Sequence, residues 1–220
     1  MKRSKTLSIY MIIMIIIFII TFSISIPVLF RPFYYLHIET LDLVNKTGYD
    51  YQTIKTAYDE MMNFCLGLTN TFSTGDLKYS VDGMNHFIDV KHLFILDLSL
   101  LVFSASNIII TPKIFKKKNI IPYRFNNHNN SYYAAAILLA IFLTIVLFSL
   151  SDFSRTFVIF HLIFFPGKTN WLFDYRYDEI ILILPETYFK NCAILIVSVL
   201  IIICLYLIIK EKRNLFNTTY

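Results

Sequence analysis

The sequence predicts an all-α integral membrane protein of four transmembrane helices, with N- and C-termini cytoplasmic and an extracytoplasmic helical cap. Three observations carry this expectation. First, the 220 residues are 56% hydrophobic and 16% charged, with a mean hydropathy of +0.60. Soluble domains hold roughly 45–50% apolar and about 25% charged residues, so this chain has too few charges to cover its surface in water. Second, four stretches are apolar over the roughly 20 residues of helix that a bilayer core requires. Third, basic residues gather on alternate connections, as cytoplasmic loops do. Five Gly and six Pro are too few for collagen-like or low-complexity classes.

The spans are 7–29, 93–111, 132–150 and 189–209, within a single membrane domain over 1–220. The first follows Lys2, Arg3 and Lys5. Its apolar run exceeds the h-region of about 7–15 residues in a signal peptide, and no A-x-A-like site follows, so it reads as a retained anchor. With the N-terminus inside, the cytoplasmic pieces are the N-terminal tail, the inner loop 112–131 and the C-terminal tail. They carry eleven Lys and Arg residues against one acid, Glu211. The outer segments, 30–92 and 151–188, hold thirteen of the fifteen acids. The basic run at 114–118 fits a topology determinant touching anionic lipid, with no nucleic acid partner. Cys65, Cys192 and Cys204 are odd in number and widely spaced, so no disulfide or zinc framework can be read from them. The abundance of Ile, Asn, Lys, Phe and Tyr is consistent with an AT-rich bacterial genome.

The first outer segment is long for a connector. Tyr51, Ile54, Tyr58, Met61 and Cys65 recur at spacings of 3 and 4, one stripe of a helix whose other face carries Gln52, Lys55, Asp59 and Glu60. Asp50 is placed to cap it. This helix either lies on the outer leaflet, covers the mouth of the bundle, or packs on its own domain. The second outer segment opens with an apolar run, 157–165, too short to span. Trp171, Tyr175, Tyr177 and Tyr188 sit where an aromatic belt belongs.

Chemistry concentrates at two places. The first is Gly83-Met84-Asn85-His86-Phe87-Ile88-Asp89-Val90-Lys91-His92, which leads into the second span. On a helix His86 and Asp89 are neighbours at i,i+3, so the carboxylate is placed to fix the imidazole tautomer. Metal ligation by His86, Asp89 and His92 is disfavoured, because six residues carry His92 about 240° around a helix from His86; plain solvation of a helix end stays open. The second is Phe160-His161-Leu162-Ile163-Phe164-Phe165-Pro166-Gly167, followed by Trp171 and Phe173. A histidine inside an apolar run must find a partner or bear the cost of burial. Asp97, one turn into the second span, reads as a polar clamp or a partner of Lys91 or Arg155. No H-E-x-x-H, P-loop, G-x-S-x-G or G-x-G-x-x-G motif occurs, which disfavours a zinc protease, an ATPase and a serine hydrolase.

The stretches Phe33-Tyr34-Tyr35-Leu36-His37, Phe72-Ser73-Thr74-Gly75, Gly83-x-x-His86-Phe87-x-Asp89-Val90-Lys91-x-Leu93-Phe94 and Phe160-His161-x-x-Phe164-Phe165-Pro166-Gly167 with Trp171-x-Phe173 resemble a family of small bacterial four-helix membrane proteins. That family includes the lipoprotein intramolecular transacylases, Lit. The resemblance covers most of the chain, the inner loop and third span least.

The resemblance implies a membrane-embedded intramolecular acyltransferase. The α-amino group of a lipoprotein's N-terminal cysteine attacks the sn-2 ester of its own S-diacylglyceryl group, and the lyso form results. It implies catalytic roles for His86, His161 and Asp89, and substrate-binding roles for Lys91, Gly167 and Trp171. Gly167 would allow close backbone approach. The implied partners are diacylglyceryl-modified lipoproteins and membrane lipids, with no cofactor and no metal. The implied location is the bacterial plasma membrane, multi-pass, with the active face extracytoplasmic. The other reading is a non-catalytic outer-leaflet lipid- or protein-binding member of the same family.

Overall fold

The computed structural model describes residues 1–149 and 152–219. Strand β1 (Lys2–Ser4) leads into α1 (Lys5–Leu29), followed by α2 (Pro32–Thr40), α3 (Leu43–Thr47) and α4 (Tyr51–Cys65). The long helix α5 (Val81–Lys117) precedes strand β2 (Ile120–Pro122) and α6 (Asn130–Ser149). The chain ends with α7 (Phe153–Phe164), the short α8 (Ile180–Ile183) and α9 (Glu186–Thr219). The chain is therefore mostly helical, as predicted, with one addition. β1 and β2 pair in parallel, Lys2 opposite Ile120 and Ser4 opposite Pro122, a contact between segments too short to carry a strand pattern.

Three helices, α1, α5 and α9, are long and apolar enough to cross a membrane. α5 runs 37 residues, about 55 Å at 1.5 Å per residue. A bilayer core is about 30 Å thick, so α5 is longer than a span requires. Within α6, residues 130–146 form an apolar helical stretch among those described. The expected span 132–150 ends, and the outer segment 151–188 begins, on residues outside those described. α1 closes just after Pro27, which removes a helical hydrogen bond. Pro32 then opens α2 at a position where a missing N–H costs nothing.

The described residues group into two compact units. The first comprises Met1–Ser25, Leu98–Phe148 and Leu195–Tyr220. Its core packs Ile15, Ile19, Leu138, Leu200 and Cys204 around Ala134 and Ala135, whose small side chains let helices approach closely. Val102, Phe103, Ile109, Ile110 and Ile202 are exposed, a surface suited to hydrocarbon rather than water. At one end of this unit Ser8 donates to the Tyr123 carbonyl at 2.7 Å. Glu211, 1% exposed, accepts from Arg124 Nη2 at 2.6 Å and from the backbone and side chain of Asn129.

The second unit comprises Ile26–Asp97 and Ser149–Ile194. The rings of Tyr34 and Tyr58 stack 3.6 Å apart, with Tyr188 set edge-on against both. Tyr34 donates its hydroxyl proton to the Ile183 carbonyl at 2.8 Å, so the buried phenol is satisfied. The stripe predicted at 51–65 is α4, and Asp50 caps it by accepting from the N–H groups of Gln52 and Thr53. Ile54, Tyr58, Met61 and Cys65 are buried in this unit's core while Tyr51 is exposed. Of the readings open for this helix, packing on its own unit is the one seen. On its outer face Asp59 pairs with Arg31 at 3.1 Å and Lys55 at 2.8 Å.

Candidate functional site

The start of α5 is fixed from a distant part of the second unit. Ser80 caps the helix, its Oγ accepting from Gly83 N at 2.9 Å. Asp178, itself buried, accepts from the N–H and the hydroxyl of Ser80 at 2.8 and 2.9 Å. One residue on, the Glu179 N–H donates to the Lys78 carbonyl at 3.0 Å, and its carboxylate accepts from the Lys78 N–H at 2.9 Å. The Asp178 carboxylate lies so close to α5 that a Cβ on residue 83 would fall 2.1 Å from its Oδ1. Only glycine fits there. One turn further along α5, His86 points into an aromatic box, with Phe165, Phe173 and Phe87 ring centroids at 4.9, 5.4 and 5.8 Å. It is 5% exposed.

The second histidine comes from α7, whose N-terminus is capped by Asp152 accepting from Arg155 N. Ile159, Phe160, Leu162, Ile163 and Phe164 are exposed, whereas His161 is 7% exposed. A single helix thus presents an apolar outer surface and tucks one imidazole inward. His161 Nδ1 lies 2.7 Å from the Phe157 carbonyl oxygen. A carbonyl only accepts, so Nδ1 carries the hydrogen and Nε2 is the nitrogen with the free lone pair. Trp171 stacks on the His161 ring at 4.7 Å and donates its indole N–H to the Lys168 carbonyl at 3.0 Å. The two imidazoles, on separate helices, meet with centroids 5.9 Å apart.

Burial sets the protonation of the pair. It pushes the His86 pKa down to about 4, helped by the neighbouring His161 and Lys168 and opposed by Asp89. Burial likewise lowers His161, although its bond to the Phe157 carbonyl works the other way. Both rings are therefore neutral at pH 7.

Asp89 has different partners from the expected one. It accepts from Lys168 Nζ at 2.5 Å and from Asn170 Nδ2 at 3.2 Å, and these fasten the turn after α7 to α5. Burial alone would raise its pKa, but those two bonds and the Lys168 charge hold it below the ordinary carboxylate value. Its effect on His86 is electrostatic, and among the described residues His86 Nδ1 is buried with no hydrogen-bond partner. The side chain at i+3 is drawn to a full cation in preference to a neutral ring.

The remaining candidates divide. Trp171 joins the histidines. Lys91 is engaged elsewhere, with its Nζ 3.3 Å from the Thr69 carbonyl oxygen and 4.3 Å from the Phe64 ring centroid; Lys168 is the cation at the imidazoles. Gly167 is required by its φ of 74°, not by close approach, since a Cβ there would meet nothing within 4 Å. His37 is satisfied on both nitrogens, by the Phe33 carbonyl at 2.6 Å and Asn191 Nδ2 at 2.9 Å. Among the described residues no group of three His, Cys, Asp or Glu side chains is arranged to hold a metal ion. Lys168 and Asn170 were missed in the sequence. Their signal was polar residues in the short stretch between Gly167 and Trp171.

Helices this long and apolar define a class: integral membrane proteins. Residues 9–189 match the family described as lipoprotein intramolecular transacylase Lit, and the chain belongs to that family. Among solved structures, the membrane integral lipoprotein intramolecular transacylase Lit from Bacillus cereus is similar at a TM-score of 0.80 and 22% identity, over 94% of this chain and 96% of that one. Two further structures of the Bacillus cereus protein, a histidine-to-arginine and a histidine-to-alanine variant, each match at a TM-score of 0.75 and 21% identity. They cover 94% and 95% of this chain and 92% and 93% of theirs. None of the curated proteins matches the chain by sequence.

Proposed function

We propose that this protein moves the sn-2 acyl chain of an S-diacylglyceryl lipoprotein onto the α-amino group of the same N-terminal cysteine. The observation that carries the reading is the meeting of His86 and His161 at 5.9 Å. The charge distribution supports an extracytoplasmic site in a four-span protein of the bacterial plasma membrane with both termini inside. The apolar face of α7, with Ile163 65% exposed, supports a substrate whose acyl chains stay in lipid while its headgroup reaches His161.

The α-amino group has an ordinary pKa of about 7.7–8.0, so a useful fraction is nucleophilic at neutral pH. Its lone pair attacks the ester carbonyl carbon, forming the C–N bond and placing negative charge on the carbonyl oxygen. His161 Nε2 takes one amine proton while Nδ1–H stays on the Phe157 carbonyl, which steadies the imidazolium. An N–H of neutral His86 donates to the oxyanion. Collapse breaks the C–O bond, and the glyceryl oxygen receives the proton from His161. Both imidazoles return to their starting state, and no external reactant is consumed. Holding amine and ester in one molecule draws on effective molarities of about 10⁵–10⁸ M, so proton transfer worth about 10²–10⁴-fold and oxyanion stabilisation complete the task. Asp89, through Lys168, positions the turn that carries Trp171. Trp171 and the Gly167 turn shape the substrate's approach, while Lys91 stands further back.

Mass spectrometry of lipoprotein N-termini tests the reading. Cells expressing the protein gain N-acyl lyso-lipoproteins, and His86→Ala or His161→Ala lowers their formation by at least about 10²-fold. Undiminished lyso form from the double variant would remove both histidines from catalysis.

A further inference from the structure

The attacking amine has two N–H bonds, and the reaction removes one. The other stays on nitrogen throughout and needs an acceptor in a buried site, where an unmet donor is costly. His161 Nε2 serves the departing proton. A second acceptor is carried by the turn whose Trp171 stacks on His161. Asn170 donates its amide NH₂ to Asp89 Oδ2 at 3.2 Å, and a carboxylate accepts without donating in return. This fixes which way the amide faces. Its Oδ1 is left buried with no hydrogen-bond partner among the described residues. Its own turn ties it to the imidazoles, since Trp171 stacks on His161 and Lys168, two residues before it, pairs with the same Asp89.

We infer that Asn170 Oδ1 accepts the retained N–H of the substrate's primary amine and so orients the nitrogen lone pair for attack. The inference rests on the proposed transacylation and adds to it a substrate-contacting residue. The acceptor's chemistry suits the task. A carboxylate facing the amine would stabilise the ammonium form, which has no lone pair to attack with, whereas a neutral amide oxygen accepts a hydrogen bond without adding that charge. Asp89, the carboxylate at hand, is already matched by Lys168. That lysine's charge opposes protonation of the amine.

The test uses the full-length protein in lipid nanodiscs and two unreactive probes. One is an S-dialkylglyceryl cysteine peptide with ether-linked chains and a free α-amine, and the other is its des-amino counterpart, which has no N–H at that position. Wild type binds the free-amine probe about tenfold tighter, the effect expected of one well-made buried hydrogen bond. Asn170→Leu loses that preference while its affinity for the des-amino probe is unchanged. Asn170→Ala, measured beside it, gives the same loss and guards against a folding fault in the leucine variant. Retained preference in both variants, or equal weakening for both probes, overturns the assignment. A wild-type protein that binds neither probe and forms no lyso product overturns the transacylase reading itself.

Discussion

The Gly83–Asp178 contact yields the sharpest test of how the site is built. Gly83 lies in a helix and its φ is not positive, so Gly83→Ala ought to stabilise by up to about 1 kcal/mol on helix propensity alone. The structure reverses that sign. The new Cβ would fall 2.1 Å from Asp178 Oδ1, 2.9 Å from its Cγ and 3.2 Å from Phe173 Cε1. Ordinary contact begins near 3.4 Å, so the carboxylate must retreat by more than 1 Å. Its bonds to the Ser80 N–H and hydroxyl, at 2.8 and 2.9 Å, cannot survive that retreat. Hydrogen bonds to a charged group contribute about 1.5–3 kcal/mol each, and Asp178 is 5% exposed, so water restores little. The Lys78–Glu179 bonds remain and hold the two segments partly together. The expected net loss is about 2–4 kcal/mol, read as a drop in thermal stability of the purified protein in detergent. Asp178→Ala removes the same bonds and leaves room for the methyl. The double variant is therefore little worse than Asp178→Ala alone, and a double-mutant cycle shows strong coupling. A Gly83→Ala protein as stable as wild type, or an additive cycle, would refute the reasoning.

Acid stability follows from His86. Its folded pKa of about 4 lies below the ordinary 6.5, so between those values the unfolded chain binds a proton that the folded one refuses. The stability is fully present above pH 6.5 and falls by up to about 3 kcal/mol as pH drops to 4; unfolding curves of wild type and His86→Phe at pH 7 and 4 measure it, and an equal loss in both would refute it. In the first unit, Glu211→Ala leaves Arg124 and Asn129 without their buried acceptor. Removing one partner of a buried pair costs about 3–5 kcal/mol, but Arg124 is 44% exposed and regains water, so a loss of about 2 kcal/mol is expected. Lyso-lipoprotein formation per folded molecule stays at the wild-type level, because the imidazoles belong to the other unit.

What was legible in the sequence followed from patterns whose physical cause is local. The long apolar runs of α1, α5 and α9 and the 3–4 spacing with its Asp50 cap in α4 are consequences of helical geometry. They could be read without knowing any tertiary partner. His161 stood out because an ionisable ring in an apolar run needs a reason, and His86 because Asp89 lies three residues on along a helix. The resemblance then joined the two motifs. What could not be read was every choice a side chain makes between a near neighbour and a distant one. Asp89 had His86 three residues away and took Lys168 and Asn170 instead, because a cation and an amide donor outbid a neutral imidazole. Lys91, on the right helix, lies against Phe64. Gly83 looked like any residue near a helix start until Asp178 came to rest against it, while Gly167, expected to admit a close backbone, is there for its left-handed φ.

These errors share a cause, and it bears on function. Spacing along one helix predicts which groups can meet, but the energy of meeting depends on charge and burial supplied from elsewhere in the chain. At this site the turn between Gly167 and Trp171 supplies both. It brings Lys168 to neutralise Asp89, sets the Asn170 amide by that same carboxylate, and lays Trp171 on His161. A carboxylate left unpaired beside His86 would have drawn a proton onto the ring and raised its pKa, the opposite of what a neutral hydrogen-bond donor requires. With Lys168 in place, Asp89 organises the turn and leaves both imidazoles neutral. The pairing that took Asp89 away from His86 is therefore what leaves both buried imidazoles neutral.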